Sequence, residues 1–520
     1  GETYFDGTHD TGAALVNSRT KVQKAINRKL DAGGSGIAKS ALDAVDSALS
    51  LYSASSLAKE WSLGNPISTG LVPFDLEAPA KLLTPRPTPL RNTIPRVKGQ
   101  GAARRFKVIS GFTGTGTGGI GTLQPGITET TTNTGPGGLA FIRPPYISYA
   151  GFDVTLTNVS WGLSDSVSWQ AEFEGQGFED IRSLSNTALL YSTMLMDERL
   201  MLYGRGTTAN GYAGALGTPA GVTAASASVG GTLPAGTYAY VIAADAGDLL
   251  GTTGAFHQGP TTAVASVTVP ANGAFTVTVG TDVVGALGYN VFVSSVGTGP
   301  YLYAGRTGYN KATVAAYPAP GTTSTTASAA DTSAVATNFD GLLTNLAASG
   351  GYTARLNSTF STSNPGVELQ NMFSSVWDSV KADPDEAWFN GHDRNQLSNA
   401  LLAGGNVNNY AVRITEPSNA TGVTVGALVQ GIVNQITGKE VDFNVHPWLP
   451  QGNALIRSTS LPIPDSNVSQ TSVMSMVQDY AAVQWPAVQF TYDASTISVG
   501  TMAHYAPAWS GVISGIQQNG

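Results

Sequence analysis

The chain has 520 residues, 12% of them charged, 42% hydrophobic and none of them cysteine, with a formal net charge of -8. That length exceeds what a single domain needs, and the apolar fraction argues against wholesale disorder. The missing cysteine excludes disulfides, thiolate metal sites and a cysteine nucleophile.

No window of about 18 uninterrupted apolar residues is present, so no membrane-spanning helix is predicted. No charged-then-apolar signal segment follows Gly1, which reads as a processed end. Charge is unevenly spread. Residues 1–110 hold 15 Lys and Arg against nine Asp and Glu, a net of +6, and the remainder carries -14. A basic fifth on an acidic body suggests surfaces with different surroundings, served either by intersubunit ion pairs or by contact with a polyanion.

The first predicted elements are two amphipathic helical stretches within 13–61, divided by Gly33, Gly34 and Gly36. Val22, Ala25 and Ile26 stripe the first, and Leu42, Val45, Leu49, Tyr52 and Leu57 stripe the second; both need something to pack on. Pro73, Pro79, Pro85, Pro87, Pro89 and Pro95 then exclude a long helix and predict an extended strap. Residues 104–160 read as two strands, Arg105–Ile109 leading out and 146–154 leading back. Between them, 111–140 carries a single charge, Glu129. An unstructured run of that length is uncommon in a compact domain, so it is predicted to be a projecting β-hairpin that orders on a neighbouring subunit.

A long helix is predicted over 178–203, opened by Glu179 and Asp180, closed by Gly204 and striped by Ile181, Leu184, Ala188, Tyr191 and Leu195. At about 1.5 Å per residue it would span ~39 Å. From Gly217 to Ala336 only six residues are charged. Short β-rich runs at 237–242, 263–269, 275–279, 289–293 and 301–303 alternate with turn residues, which predicts an inserted β-sandwich. Helices follow at 365–382 and 393–403, then mixed strands over 410–460 and strand-like alternation to the end.

No chemistry can be assigned. The five histidines, His9, His257, His392, His446 and His504, are scattered, form no HExxH pattern and read as structural. Gly116-Thr117-Gly118-Gly119-Ile120-Gly121 spells the dinucleotide fingerprint, but Pro125 and Gly126 follow where a helix must start. Neighbouring acids such as Asp197/Glu198 and Asp383/Asp385 read as solvated pairs. No P-loop or GxSxG is present, and the basic N-terminal run lacks aromatics between Phe5 and Tyr52, so it could meet nucleic acid only through phosphate charge. Hence no catalytic, cofactor-binding or metal-ligating residue is named, no cofactor is expected, and the chain is not expected to be an enzyme.

The order of elements says more than any motif. Three stretches, 88–97, Phe178 to Gly204, and Gln484–Phe490 with Ala506–Trp509, resemble the strap, the spine helix and the closing peripheral and axial segments of the major capsid proteins of tailed bacteriophages, the Hong Kong 97-type fold. The resemblance implies an α+β fold with an N-terminal arm and strap (1–95), an extended loop (96–160), a peripheral domain with its spine helix (161–216), an immunoglobulin-like or fibronectin-like β-sandwich inserted at 217–336, and peripheral and axial remainders over 337–520. It also implies a structural protein that self-assembles as hexamers and pentamers into an icosahedral shell around double-stranded DNA held by non-specific contact. Scaffold, prohead protease, portal and minor capsid or cement proteins are the further partners it implies, with no membrane, in a virion assembled in the bacterial host cytoplasm. Some members crosslink through a lysine of the extended loop; residues 108–180 here contain no lysine, so no such bond is expected from that loop. The alternatives are an encapsulin-type compartment, a β-sandwich surface adhesin and, last, an enzyme with an appended sandwich.

Overall fold

The structure, a computed structural model, describes residues 85, 87–113, 129–130, 140–141, 148–174, 180–208, 213–247, 256–295, 297, 299–403, 429–461, 463–464, 466–487 and 489–517. The predicted arm helices within 13–61, most of the proline-rich strap, the Gly-rich fingerprint at 116–121 and most of the interior of the 111–140 excursion lie outside these residues.

The described chain is mixed α+β and begins with a short helix, Pro89–Thr93. Proline suits its first turn because the N–H it lacks would have no intrahelical partner there. The strand Arg96–Lys98 follows and joins a four-stranded sheet, running parallel to Ser472–Gln484, which pairs in turn with Thr491–His504 and then Val159–Ser168. Ala103–Thr113 and Ser148–Thr157 are the predicted outgoing and returning strands, paired from Ala103 opposite Thr157 to Thr113 opposite Ser148 with a register shift between Ile109 and Gly111.

The long helix runs Ile181–Tyr203, and Asp180 caps it by accepting from the Ser183 amide at 3.1 Å. At about 1.5 Å per residue its 23 residues span ~35 Å. Gly204 ends it, and close approach explains the glycine: a Cβ there would meet the Leu200 and Phe339 carbonyl oxygens at 2.6 Å. The predicted apolar stripe is corrected. Leu184 and Tyr191 are exposed, Ile181, Ala188 and Leu195 are half-buried, and the fully buried residues are Leu189, Thr193, Asp197, Glu198 and Leu200–Tyr203. The helix turns two acids inward and leaves large apolar side chains outside, so hydrophobicity alone assigned the wrong face.

The described residues of 223–325 form strands and their connecting turns, with no helix. Three of them (Lys311–Val314, Ala274–Thr278, Thr223–Ala227) form one sheet, and five (Ser324–Thr325, Tyr301–Thr307, Gly288–Ser294, Gly236–Asp245, Ala265–Val269) form another. One core, including Tyr240, Ile242, Phe275, Val277, Tyr289 and Val291, is shared by both sheets. The opposite face of the larger sheet is covered by Phe256, Phe292 and Tyr303, with ring centroids 4.9–5.6 Å apart. Gly288–Ser294 is therefore buried on both faces, and its run Val291-Phe292-Val293 is continuously apolar rather than alternating.

The chain before and after this segment runs side by side. The Val335 amide donates to Arg205 O and the Gly341 amide to Gly204 O. Beyond it, a six-stranded sheet is ordered Tyr352–Ser358, Gly511–Ile516, Asn453–Arg457, Glu386–Phe389, Glu440–Val445 and Gly431–Val433. The helices Val367–Val380 and Gly391–Ala403 pack on it through Leu369, Phe373, Val376, Leu397 and Ala400. The helical runs predicted at 365–382 and 393–403 match them. Gln484–Phe490, read as part of a strand, is mostly the connection between two long strands.

Candidate functional site: the polar joint beneath the strap

Two adjacent acids of the long helix hold the strap. Glu198 and Asp197 are both fully buried, a costly placement that must be matched by hydrogen bonds. Glu198 supplies three. The Leu90 amide donates to Oε1 at 2.9 Å, the Arg91 amide to Oε2 at 2.7 Å, and His446 Nε2 lies 2.6 Å from Oε1. The Trp448 amide donates to His446 Nδ1 at 3.1 Å, so Nδ1 is the acceptor and Nε2 carries the proton given to Glu198. Thr88 offers the Pro89–Thr93 helix no side-chain cap. Glu198, 108 residues away in sequence, does that work and places its negative charge where the helix dipole favours it.

Asp197 faces the other way. Arg96 Nη1 donates to Oδ2 at 2.7 Å, and the Tyr480 hydroxyl donates to the same oxygen at 2.6 Å. Arg91 Nε donates to the Tyr480 oxygen at 2.9 Å, and both guanidinium carbons lie 5.0 Å from the tyrosine ring centroid. Asp479 completes the set by accepting from Arg96 Nη2 at 2.9 Å. Tyr480 occupies a register shift between the paired strands, with φ at +30°. A tyrosine is strained there, and such strain persists only where the surroundings over-determine it; here the contacts with Asp197, Arg91 and Arg96 do so.

Burial raises the Asp197 carboxyl above its ordinary value despite Arg96 and Tyr480. Burial, with Asp197 beside it, raises the Tyr480 phenol. Burial alone would lower the Arg96 pKa, but Asp197, Tyr480 and Asp479 more than reverse that. Apolar contacts finish the joint. Leu90 and Ile94 enter the main core beside Leu200, Met474 and Met476, and Trp448 Nε1 donates to Pro87 O at 3.0 Å.

The joint also carries the base of the hairpin. Arg104 donates to Ser475 Oγ and to the Tyr505 hydroxyl, at 3.1 and 2.6 Å, and Phe106 meets the Tyr505 ring edge-on at 4.9 Å. Further out the strands leave the body. Ile109 is 62% exposed and Phe152 56%. Other apolar side chains are open as well: Phe173, Leu184, Tyr191, Trp485 and Phe490. Scattered apolar exposure is ordinary, but aromatic side chains this open are candidates for a partner's surface.

Of the residues singled out in the sequence, Asp197 and Glu198 were read as a solvated pair; both are buried and central. Asp383 and Asp385 are structural: Asp383 accepts from Asn434 Nδ2 and Asp385 from the Thr459 amide. His446 is structural, as expected, and belongs to the joint. His504 is buried with Nδ1 3.1 Å from Ser472 Oγ, and His392 lies in the first turn of a helix. His9 lies outside the described residues. Tyr480 and Asp479 were missed. The available signal was Gln478-Asp479-Tyr480 standing between two runs of apolar and small residues in one strand. Among the described residues no cluster of three or more acids and histidines could hold a metal ion, and no helix is long and apolar enough to cross a membrane.

No protein-family model matches the chain, and no curated protein matches its sequence. Solved structures similar to it include the capsid of Myoviridae phage XM1, with 8% identity, TM-score 0.38, and coverage of 86% of this chain and 100% of that one. Another is from Mycobacterium phage Bobi, with 9% identity, TM-score 0.40 and coverage of 86% and 98%. The SrpI encapsulin complex of Synechococcus elongatus PCC 7942 is similar at 7% identity, TM-score 0.37 and coverage of 86% and 95%. Identities and scores this low leave the functional reading to rest on the residues of this chain.

Proposed function

We propose that the chain is a shell-forming major capsid protein of the Hong Kong 97 type, built into hexamers and pentamers around double-stranded DNA. The observation that carries this reading is the hairpin. Ala103–Thr113 and Ser148–Thr157 are anchored at the base by Arg104 and Phe106, yet expose Ile109 and Phe152 further out. A long two-stranded arm gains little stability alone, and a neighbouring copy of the chain supplies the missing surface.

On this reading the four-stranded sheet with the long helix is the peripheral domain. The six-stranded sheet with its two helices is the axial domain. The strand-rich segment 217–336 is an inserted immunoglobulin-like sandwich on the outer surface. Contact with DNA is non-specific and comes from the basic N-terminal fifth. Scaffold, prohead protease, portal and cement proteins are the partners of assembly in a bacterial host. The role is structural, with no reaction to catalyse.

Electron microscopy of the purified assembled chain tests the proposal. Angular shells containing DNA, with density standing out from each hexamer, are the expected result. Shells of the same geometry filled with protein and devoid of DNA would move the assignment to an encapsulin compartment. Monomers that never assemble, even with scaffold and protease supplied, would overturn it.

A further inference from the structure

The strand-rich segment is bound to the rest of the chain by more than its two connections. Its loop 282–287 enters the body, and three successive backbone carbonyls of that loop are each taken by a side chain from a different place. Arg205, just past the long helix, donates to Gly285 O at 3.2 Å. Arg355, from the strand Tyr352–Ser358, donates to Ala286 O at 3.1 Å. Asn453, from the strand Asn453–Arg457, donates to Leu287 O at 2.8 Å.

Asp282 adds a fourth attachment, accepting from Asn357 Nδ2 at 2.7 Å and lying 3.2 Å from Arg355 Nε. The Leu287 side chain is buried in the same core as Leu200, Tyr203, Phe339 and Leu343. A second contact is independent of the loop. Gly247, at φ +112°, lies so close to the Tyr203 ring that a Cβ would fall 2.7 Å from it. The last turn of the long helix therefore has residues of the strand-rich segment within its packing shell.

We propose that the 282–287 loop is a plug through which this segment fixes the C-terminal end of the long helix, so that segment and helix end open and unfold together. The segment is then a structural part of the body, and a disturbance of its base reaches the helix turn next to the one that bears Asp197 and Glu198. Buried attachments of this kind define cooperative units, which hydrogen exchange resolves as groups of amides that open together.

The test is hydrogen exchange by mass spectrometry on the full chain, with Leu287→Ala and Asp282→Asn. Leu287→Ala removes the buried side chain; Asp282→Asn removes only charge at the rim of the plug and keeps the fold. Leu287→Ala should speed exchange in peptides over 196–205 and 241–247 by roughly tenfold or more. Asp282→Asn should do so in the same peptides to a smaller degree. Peptides over 440–445, in the other core, should not change, and Val284→Ala at the 77% exposed loop position should change nothing. If Leu287→Ala does not fold, Asp282→Asn alone decides. Faster exchange confined to 280–290, or an equal response to Val284→Ala, would overturn the proposal.

Discussion

The Tyr480 hydroxyl donates to Asp197 at 2.6 Å across 283 residues of sequence, from a backbone position that tyrosine seldom adopts. The contact joins a long strand of the four-stranded sheet to the long helix and brings both strap arginines against one aromatic ring. Strain in the strand and burial of the carboxylate are offset at a single point.

Removing that hydroxyl is therefore expected to be costly. Tyr480→Phe leaves Asp197 with Arg96 as its remaining hydrogen-bond donor and should destabilise the chain by about 1–3 kcal/mol, the range for an unsatisfied buried polar group. Asp197→Ala removes the acceptor shared by Arg96 and Tyr480, leaves Arg96 with Asp479 alone, and should cost at least ~1.5–3 kcal/mol, the range for hydrogen bonds to a charged group. Urea unfolding of both variants beside the parent measures each, and an unchanged midpoint for Tyr480→Phe would contradict the account.

Glu198→Gln tests the strap separately. The amide keeps its shape but has a single acceptor oxygen for the Leu90 and Arg91 amides and His446. The helix Pro89–Thr93 should loosen while the long helix stays. Brief trypsin treatment should then cut after Arg91 and Arg96 at least about tenfold faster, in line with losing charged hydrogen bonds of about 1.5–3 kcal/mol each, with other cleavage rates unaltered.

Acid should weaken the fold through His504. Its burial, with Arg457 nearby, lowers its pKa from 6.5 to about 3. Between those values the unfolded chain binds a proton that the folded chain does not. The contribution of His504 is whole above pH 6.5 and is lost as pH falls toward 3, by at most about 1.4 kcal/mol per pH unit. Asp197 and Asp340 are raised by burial, so they work in the opposite sense, and the comparison has to be differential. His504→Asn should flatten the pH dependence of the unfolding midpoint between pH 6 and pH 4 relative to the parent chain.

Ile109→Ser with Phe152→Ser should leave the unfolding midpoint within about 0.5 kcal/mol, since both side chains are exposed. If the hairpin rests on a neighbouring copy, the same pair should shift the sedimentation profile from shells toward small species.

Assembled particles should also dissolve in denaturant to a single 53.5 kDa band. Residues 108–180 contain no lysine to bond covalently to a neighbour, and a ladder of multimers would show that another residue does so.

Much of the architecture could be read from local pattern. The long helix, the hairpin strands, the runs between 237 and 303 and the helices near 367 and 391 all follow from periodicity, turn residues and caps, which depend on neighbours in sequence. The joint does not. Asp197 and Glu198 look like any acidic pair on a helix, and only the arrival of Leu90 and Arg96 from the strap, His446 and Tyr480, from three distant stretches, makes burying them tolerable. For the same reason the helix face was misread: Leu184 and Tyr191 satisfy the apolar pattern, yet both stay exposed.

The helix Pro89–Thr93 owes its cap to a residue 108 positions downstream, and the partner that orients that residue, His446, comes 248 positions later still. A five-residue helix cannot nucleate alone. During synthesis the strap leaves the ribosome long before either partner exists, so it must wait without structure while the rest of the chain is made. It locks late, once the turn at His446 has closed onto the long helix. The timing of that step is written in the distance between Leu90, Glu198 and His446.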